Sequence, residues 1–486
     1  MTIFKNFLYS GASTYVEYFF GLVISIMIAR VLGPHDYGTY SLYIWYSAVF
    51  IIVTNGGLTT AAIKFIAEYS EKLEAANGIV GYLFRKQIKH LLVIFTLSII
   101  GILILSSSNM EIKLLLMILL AASLKSIYMF FTGIAKGFER FDFIAYVIFI
   151  VAPLNILLIY LAFINTDKLD YYIGIYLLIS LMYVITMFFV LRKHDVDVHP
   201  AYAPDKTVTV RIDHHVRVIS FSIIFSFIIL KQSEIFFLDI FSTKEDIAIF
   251  NVAYLLATSG ALLLPGIVTG LLLPYITRII NRDKKRLAGT YLTSIKFILI
   301  LGIPLVFVTP IISEPVINLL YGKNYILAAM YFELMMIPAV IVTVSQVASS
   351  NLMGHDQQST VFKITVFTVI IGILLDILLI REYGLNGAVA AYSITILAQS
   401  TITFYFSGKL LNVKYNYIQY SLILLTGIIT YITCDYLVSD AEGITVLLVL
   451  IPFAILYLFL IWVMPILTSS EKQIVIQKVK QIYGNI

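Results

Sequence analysis

Apolar runs of about twenty residues follow one another along almost the whole chain, and each is long enough to cross a bilayer as a helix. Fourteen of them lie near residues 8–29, 40–63, 91–108, 114–135, 143–164, 171–191, 218–241, 247–277, 291–312, 325–350, 361–380, 386–408, 416–437 and 443–466. The chain is 60% hydrophobic and 13% charged, with a mean hydropathy of +0.95. Soluble domains are nearer about 45–50% apolar and 25% charged. No soluble core absorbs this much apolar surface, so the expected fold is an all-α polytopic membrane protein with fourteen transmembrane helices. The run Phe7–Ala29 is too long for a signal-peptide core and leads into Arg30 without a small-residue cleavage site, so it is expected to stay as the first helix. The eighth and tenth runs are long, and are expected to project beyond the hydrocarbon or to break at Pro265 and Pro338.

Lysine and arginine set the orientation. With the amino terminus inside, the inside segments hold 24 basic residues, and the outside loops hold six: Arg30, Lys113, Lys168, Lys244, Lys323 and Arg381. This positive-inside bias places both termini in the cytoplasm. The largest inside loop, about 192–217, is polar and carries His194, His199, His214 and His215. Without cysteines or a tight i,i+4 pair these histidines are not expected to hold a metal, and the loop reads as a solvated linker. The single cysteine, Cys434, excludes an internal disulfide and any multi-cysteine metal site.

The two halves are expected to form a degenerate repeat at an offset of about 210–220 residues. Asn155-Ile-Leu-Leu recurs as Asp376-Ile-Leu-Leu, and Lys125 in the fourth span matches Glu333 in the tenth. Six helices per copy give both copies the same orientation, related by an axis along the membrane normal. The expected organisation is therefore an N-lobe over 1–192, a cytoplasmic linker over 193–217, a C-lobe over 218–410, two extra helices over 411–468 and a cytoplasmic tail over 469–486. In that tail Val475, Val479, Ile482 and Tyr483 share one helical face, with Lys472, Lys478 and Lys480 available to anionic headgroups.

Nucleotide-loop, dinucleotide and His-Glu-x-x-His motifs are absent from the sequence. No soluble segment is large enough for a catalytic core. Neither an enzyme nor a cofactor is expected, nor is a nucleic-acid partner. What remains is a short list of charges inside apolar runs: Glu17, Lys125, Lys231, Glu234, Lys296 and Glu333. Such residues are costly in lipid and mark polar pathways or buried pairs. Glu17 is either a proton or cation site, a counter-charge to a cavity lysine, or a structural bond. Lys231 and Glu234, at i and i+3, share a face; they pair with each other or line a cavity. Lys125 and Glu333 are expected as ion-coupling residues or as a static pair between the halves. Lys296 is close enough to the inner interface to snorkel and is given no function. Asn55-Gly56-Gly57 loosens the second span, for a hinge or a close helix contact.

Three stretches near the amino terminus carry a resemblance: Ala29-Arg30-Val31-Leu32-Gly33-Pro34-His35-Asp36-Tyr37-Gly38, Asn55-Gly56-Gly57-Leu58 and Ala62-Ile63-Lys64-Phe65-Ile66-Ala67-Glu68. Lys231–Tyr254, Glu314–Tyr325 and Tyr383–Ala390 extend it, so that the ordered set covers about residues 1–410. Together they resemble the polysaccharide biosynthesis exporters, the O-antigen-type flippases of the multidrug/oligosaccharidyl-lipid/polysaccharide exporter superfamily. The chain departs from their pattern at Ser233-Glu234, where an aspartate is common, and at Ile247-Ala248-Ile249-Phe250, where they carry a Gly-Ile-Tyr turn.

The resemblance implies two six-helix lobes around a cavity in the cytoplasmic membrane of a prokaryote. It implies movement of an undecaprenyl-diphosphate-linked oligosaccharide from the inner to the outer leaflet by alternating access. The partners implied are that lipid-linked substrate, membrane lipids, and the polymerase and glycosyltransferases of the same pathway. A diphosphate headgroup needs fixed positive charge, and on this reading Arg30, Asn55, Lys64, Lys231 and Glu234 are the substrate-binding residues. A cation-coupled multidrug or metabolite antiporter of the same superfamily is the alternative, and a lipid II flippase another.

Overall fold

The computed structural model describes residues 3–105, 109–197, 204–230, 233–262, 284–438, 443–469, 471–473 and 477. Among the described residues the secondary structure is helical, with no strand. Ten helices are long and apolar enough to cross a membrane, and the protein is multi-pass. The first half contains α1 (Ile3–Asn55), α2 (Leu58–Tyr69), α3 (Leu73–Leu105), α4 (Asn109–Gly137), α5 (Phe141–Asn165), α6 (Leu169–Lys193), α7 (Lys206–Leu230), α8 (Ser233–Phe241) and α9 (Lys244–Leu262). After residues 263–283 come α10 (Lys284–Leu320), α11 (Ala328–Gly354), α12 (Gln358–Leu375), a π-helical turn at Asp376–Ile380, α13 (Arg381–Leu411), α14 (Tyr417–Val438) and α15 (Leu450–Val463).

Two of the ten spans are of double length, Tyr15–Asn55 and Gln358–Leu411. Each passes through one glycine outside helical geometry, Gly33 (φ 71, ψ 174) and Gly384 (φ 54, ψ −127). The gap expected between the first two spans therefore shrinks to a single residue. Gly33 turns the chain at a left-handed φ that a side chain disfavours, and Pro34 restarts the helix, where its fixed φ and missing N–H suit a first position. The spans expected near 218–241 and 247–277 correspond to α7 with α8, and to α9, which leads into residues 263–283 outside the described set. Pro265 lies there too. Pro338 does not break the tenth run: α11 continues through it for 27 residues, about 40 Å at 1.5 Å per residue.

The described chain forms two compact units. The first takes residues 1–248 with 376–385, and the second takes 249–375 with 386–486. In the first, Phe65, Leu83, Phe130, Phe131, Phe143, Val151 and Met187 form a continuous apolar core. In the second, α10, α14 and α15 pack through Ile303, Ile423, Cys434, Phe453, Tyr457 and Ile461. The Tyr457 hydroxyl donates to the Ile300 carbonyl at 3.0 Å. Leu97, Phe189 and Ile455 stay exposed, as side chains facing lipid do in membrane helices.

From Lys206 on, the loop expected as a solvated linker is helical. Within α7, Val208, Ile212 and Val216 recur every four residues and are all buried, an apolar stripe that the polar composition of the segment masks. That stripe packs α7 on α2 and α1. Ion pairs fasten it further: Arg211 holds Glu68 through two bonds of 2.9 and 3.1 Å, and Lys86 and Tyr82 donate to Asp213 at 2.6 and 2.7 Å. Burial works to raise the Asp213 carboxyl, but those bonds outweigh it and hold the group below the ordinary carboxylate range. Two histidines of the segment pack on aromatic rings, His194 on Phe143 and His215 on Phe65. His199 lies outside the described residues, and among those described no three potential ligands gather around a metal position.

Candidate functional site

The helix break at Asn55 is where the first unit concentrates polar atoms. Asn55 is 2% exposed; its amide donates to the Ile51 carbonyl and to Ser126 Oγ, both at 3.0 Å. Thr54 and Gln87 also reach Ser126 Oγ, each at 2.8 Å. The Asn55 side chain is thus spent on joining α1 to α4. Of the two explanations for Gly56-Gly57, the structure shows the close contact. Gly56 has φ 41, and a Cβ there would stand 2.6 Å from Ser220 Oγ. The Gly57 N–H receives that same hydroxyl as acceptor at 2.8 Å.

Two of the basic residues expected to hold substrate, Arg30 and Lys64, are described, and both are exposed. Arg30 is exposed near the end of the first segment of α1. Lys64 is exposed on α2, its ammonium 5.3 Å from the centre of the Phe65 ring. Burial, Lys64 and His214 together push the His215 imidazole below its ordinary value. Lys231 and Gln232 lie outside the described residues, and with them the Lys231–Glu234 pair.

Glu234 instead meets a residue that sequence reasoning missed. It is 6% exposed, Asp376 is 1% exposed, and the two carboxyls are within electrostatic reach of each other. Ser233, the neighbour of Glu234, donates its hydroxyl to Asp376 Oδ2 at 2.7 Å. The opposite oxygens, Glu234 Oε2 and Asp376 Oδ1, are buried with no hydrogen-bond partner. Asp376 opens a π-helical turn, an irregular point of the backbone. The signal was present, since Asp376 falls inside the apolar run 361–380.

Two adjacent carboxyls in a low-dielectric site do not both stay ionised without compensation. Their orphan oxygens call for a proton, an ordered water or a small cation. The same α8 carries Asp239, which accepts from the Tyr46 hydroxyl at 3.3 Å and pairs with Lys244. Asp239 is therefore compensated, whereas no cation among the described residues pairs with Glu234 or Asp376.

The other charges inside spans each find a partner within their own unit. Glu333 accepts from the Ser313 hydroxyl at 2.5 Å, and Lys125 lies over the Tyr176 ring, 4.5 Å from its centre. Glu17 is exposed and within electrostatic reach of Tyr128 and Tyr183. Lys296 corrects its expectation. It is buried and bonded to both oxygens of Glu471, at 2.5 and 2.6 Å, instead of reaching for water. Val475, Val479, Ile482 and Tyr483 of the tail lie outside the described residues.

Long apolar helices, two of them turned at a glycine, define a multi-pass membrane protein, and solved structures share its fold. A lipid II flippase, MurJ in an inward closed conformation, superposes with a TM-score of 0.74 at 16% identity, over 93% of this chain and 97% of the other. An inward-facing multidrug resistance MATE family transporter of the MOP superfamily gives 0.69 at 15% identity, over 81% and 94%. The chain belongs to the polysaccharide biosynthesis protein family, whose profile matches residues 3–280. A probable low-salt glycan biosynthesis flippase, Agl15 of Haloferax volcanii, is 19% identical over 181 residues, 37% of this chain. That match spans 38% of the relative's length.

Proposed function

We propose that this protein is a flippase for an undecaprenyl-diphosphate-linked oligosaccharide, moving it from the inner to the outer leaflet of a prokaryotic cytoplasmic membrane for surface polysaccharide assembly. The observation that carries the mechanism is the buried pair Glu234–Asp376, which no cation among the described residues compensates. Taking up a proton or small cation stabilises the two acids together, and releasing it restores their repulsion. An element with two such states drives alternating access when each state favours a different opening. The family supports a glycan-lipid substrate, and the name of the Haloferax relative points the same way. Arg30, Lys64 and Lys231 supply positive charge for the diphosphate in this reading. Fourteen spans in two six-helix lobes plus two further helices, with both termini cytoplasmic, are part of it.

The acid pair also favours a second reading, a cation-coupled antiporter for drugs or metabolites. Deleting the gene separates the two. The flippase reading expects loss of surface glycan with lipid-linked precursor accumulating on the inner leaflet. It expects restoration by the wild type, and none by a Glu234→Gln/Asp376→Asn protein of normal abundance. Unchanged surface glycan together with a new drug sensitivity would establish the antiporter instead.

A further inference from the structure

Lys125 sits deep in α4, 16 residues after Asn109 and 12 before Gly137, roughly 24 and 18 Å from the two ends at 1.5 Å per residue. Its ammonium is half-buried and lies 4.5 Å from the centre of the Tyr176 ring. No carboxylate among the described residues pairs with it, whereas Lys86, Lys244 and Lys296 each hold one. A ring face orients an ammonium without neutralising it. The charge of Lys125 therefore stays available on the side away from Tyr176.

Further polar groups stand near this cation. The Tyr176 hydroxyl bonds Ser47 Oγ at 2.9 Å, and Tyr40 is within electrostatic reach of Tyr176. One helical turn further on, Tyr128 of α4 and Tyr183 of α6 bring their ring centres to 4.7 Å. Glu17 acts electrostatically on both. α1, α4 and α6 pack against one another. They thus bring together, within one unit, a cation with aromatic hydroxyls at one level and a carboxylate with two tyrosine rings at the next.

We propose that this strip is a headgroup subsite, in which Lys125 takes the diphosphate and Tyr128, Tyr183 and Glu17 take the adjoining sugar. The polarity fixes the direction of the guest. Glu17 repels a diphosphate from its own end but accepts bonds from sugar hydroxyls, and tyrosine faces suit the apolar face of a pyranose ring. The inference rests on the flippase reading and deepens it. It adds to Arg30, Lys64 and Lys231 a cation whose surroundings also match a sugar.

The test uses the purified full-length protein in detergent, with farnesyl diphosphate and farnesol as probes. Wild type is expected to prefer the diphosphate by about tenfold or more, as a charge-assisted contact allows. Lys125→Gln should abolish that preference with farnesol binding unchanged, and Lys125→Arg should keep most of it. If Lys125→Gln does not purify, Lys125→Cys in a Cys434→Ser background is converted to an aminoethyl cysteine, which should regain the diphosphate preference that the unmodified thiol lacks. A wild type without the preference would overturn the subsite, as would a Lys125→Gln protein that keeps it. Equal loss of both probes in Lys125→Gln would reduce Lys125 to a packing residue. The flippase reading is judged separately, by whether wild type restores surface glycan to the deletion strain. Restored glycan with unaltered binding by Lys125→Gln would leave that reading standing and the subsite refuted.

Discussion

Gly57 donates its backbone N–H to Ser220 Oγ at 2.8 Å, across 163 residues of sequence. The bond exists because neither glycine of the pair keeps α7 at side-chain distance. A Cβ on Gly57 would stand 2.6 Å from the Val216 carbonyl oxygen, and both atoms that would have to yield there are backbone. Gly57→Val is expected to destabilise the first unit by about 1–3 kcal/mol through overpacking. Ser220→Ala, which removes the bond and leaves the space, should cost about 1 kcal/mol. Thermal unfolding in detergent measures both; the reverse ranking would mean that the helix contact is looser than described.

The Lys296–Glu471 pair ties the start of the tail to α10, with side chains 7% and 15% exposed. Glu471 also accepts from the Thr468 N–H and hydroxyl at 2.8 and 2.9 Å, an N-terminal capping arrangement. Lys296→Met should cost roughly 3–5 kcal/mol, since it leaves Glu471 uncompensated, while Lys296→Met/Glu471→Met should recover most of the loss. A double variant less stable than the single one would contradict this account.

The same pair gives stability a pH dependence. Burial works to raise the Glu471 carboxyl, but bonds from Lys296 and Thr468 prevail and hold it below its ordinary value. A depressed carboxyl contributes stability that is present above its unfolded pKa and lost as pH falls through the folded value. Wild type should therefore lose stability on acidification below the ordinary glutamate range, and Glu471→Gln should lose less over that interval. Parallel acid profiles for the two proteins would show that Glu471 does not contribute to the dependence.

No cation among the described residues offsets the like charges of Glu234 and Asp376. Replacing both with Gln and Asn removes the like-charge cost and should raise the midpoint of thermal unfolding by a few degrees while abolishing transport. That combination marks a functional site paid for in stability. A lower midpoint would mean that the pair stabilises the fold. Ser233→Ala, which removes one bond to Asp376, should impair transport less than either acid substitution.

Topology is open to direct labelling. In a Cys434→Ser background, cysteines at Asp167 and Lys323 should react with an impermeant thiol reagent from outside, and ones at Glu74 and Ser469 should not. Reversed accessibility at two of the four would invert the orientation.

Hydropathy and backbone preference are local properties, and what depends on them was legible in the sequence. The all-α membrane class, the breaks near Gly33 and Gly384, and the charges inside apolar runs all follow from residues read where they stand. Partnership between helices is another matter, because it depends on how each helix is rotated and how far it slides against its neighbours. Ser233 and Asp376 are 143 residues apart, and nothing local to either marks the other as its partner. Lys296 reads as a snorkelling lysine because Glu471 lies 175 residues away, beyond the last apolar run. Asn55 reads as a free polar group until packing brings α4 and Ser126 against it. The Val208, Ile212 and Val216 stripe lay in plain sight, but polar neighbours hid it until α2 supplied a surface to bury it on. The sequence by itself determined that the chain is a helical, multi-pass membrane protein and which charges stand inside its apolar runs. Only the tertiary structure decided which of those residues are compensated, because compensation is a matter of contact.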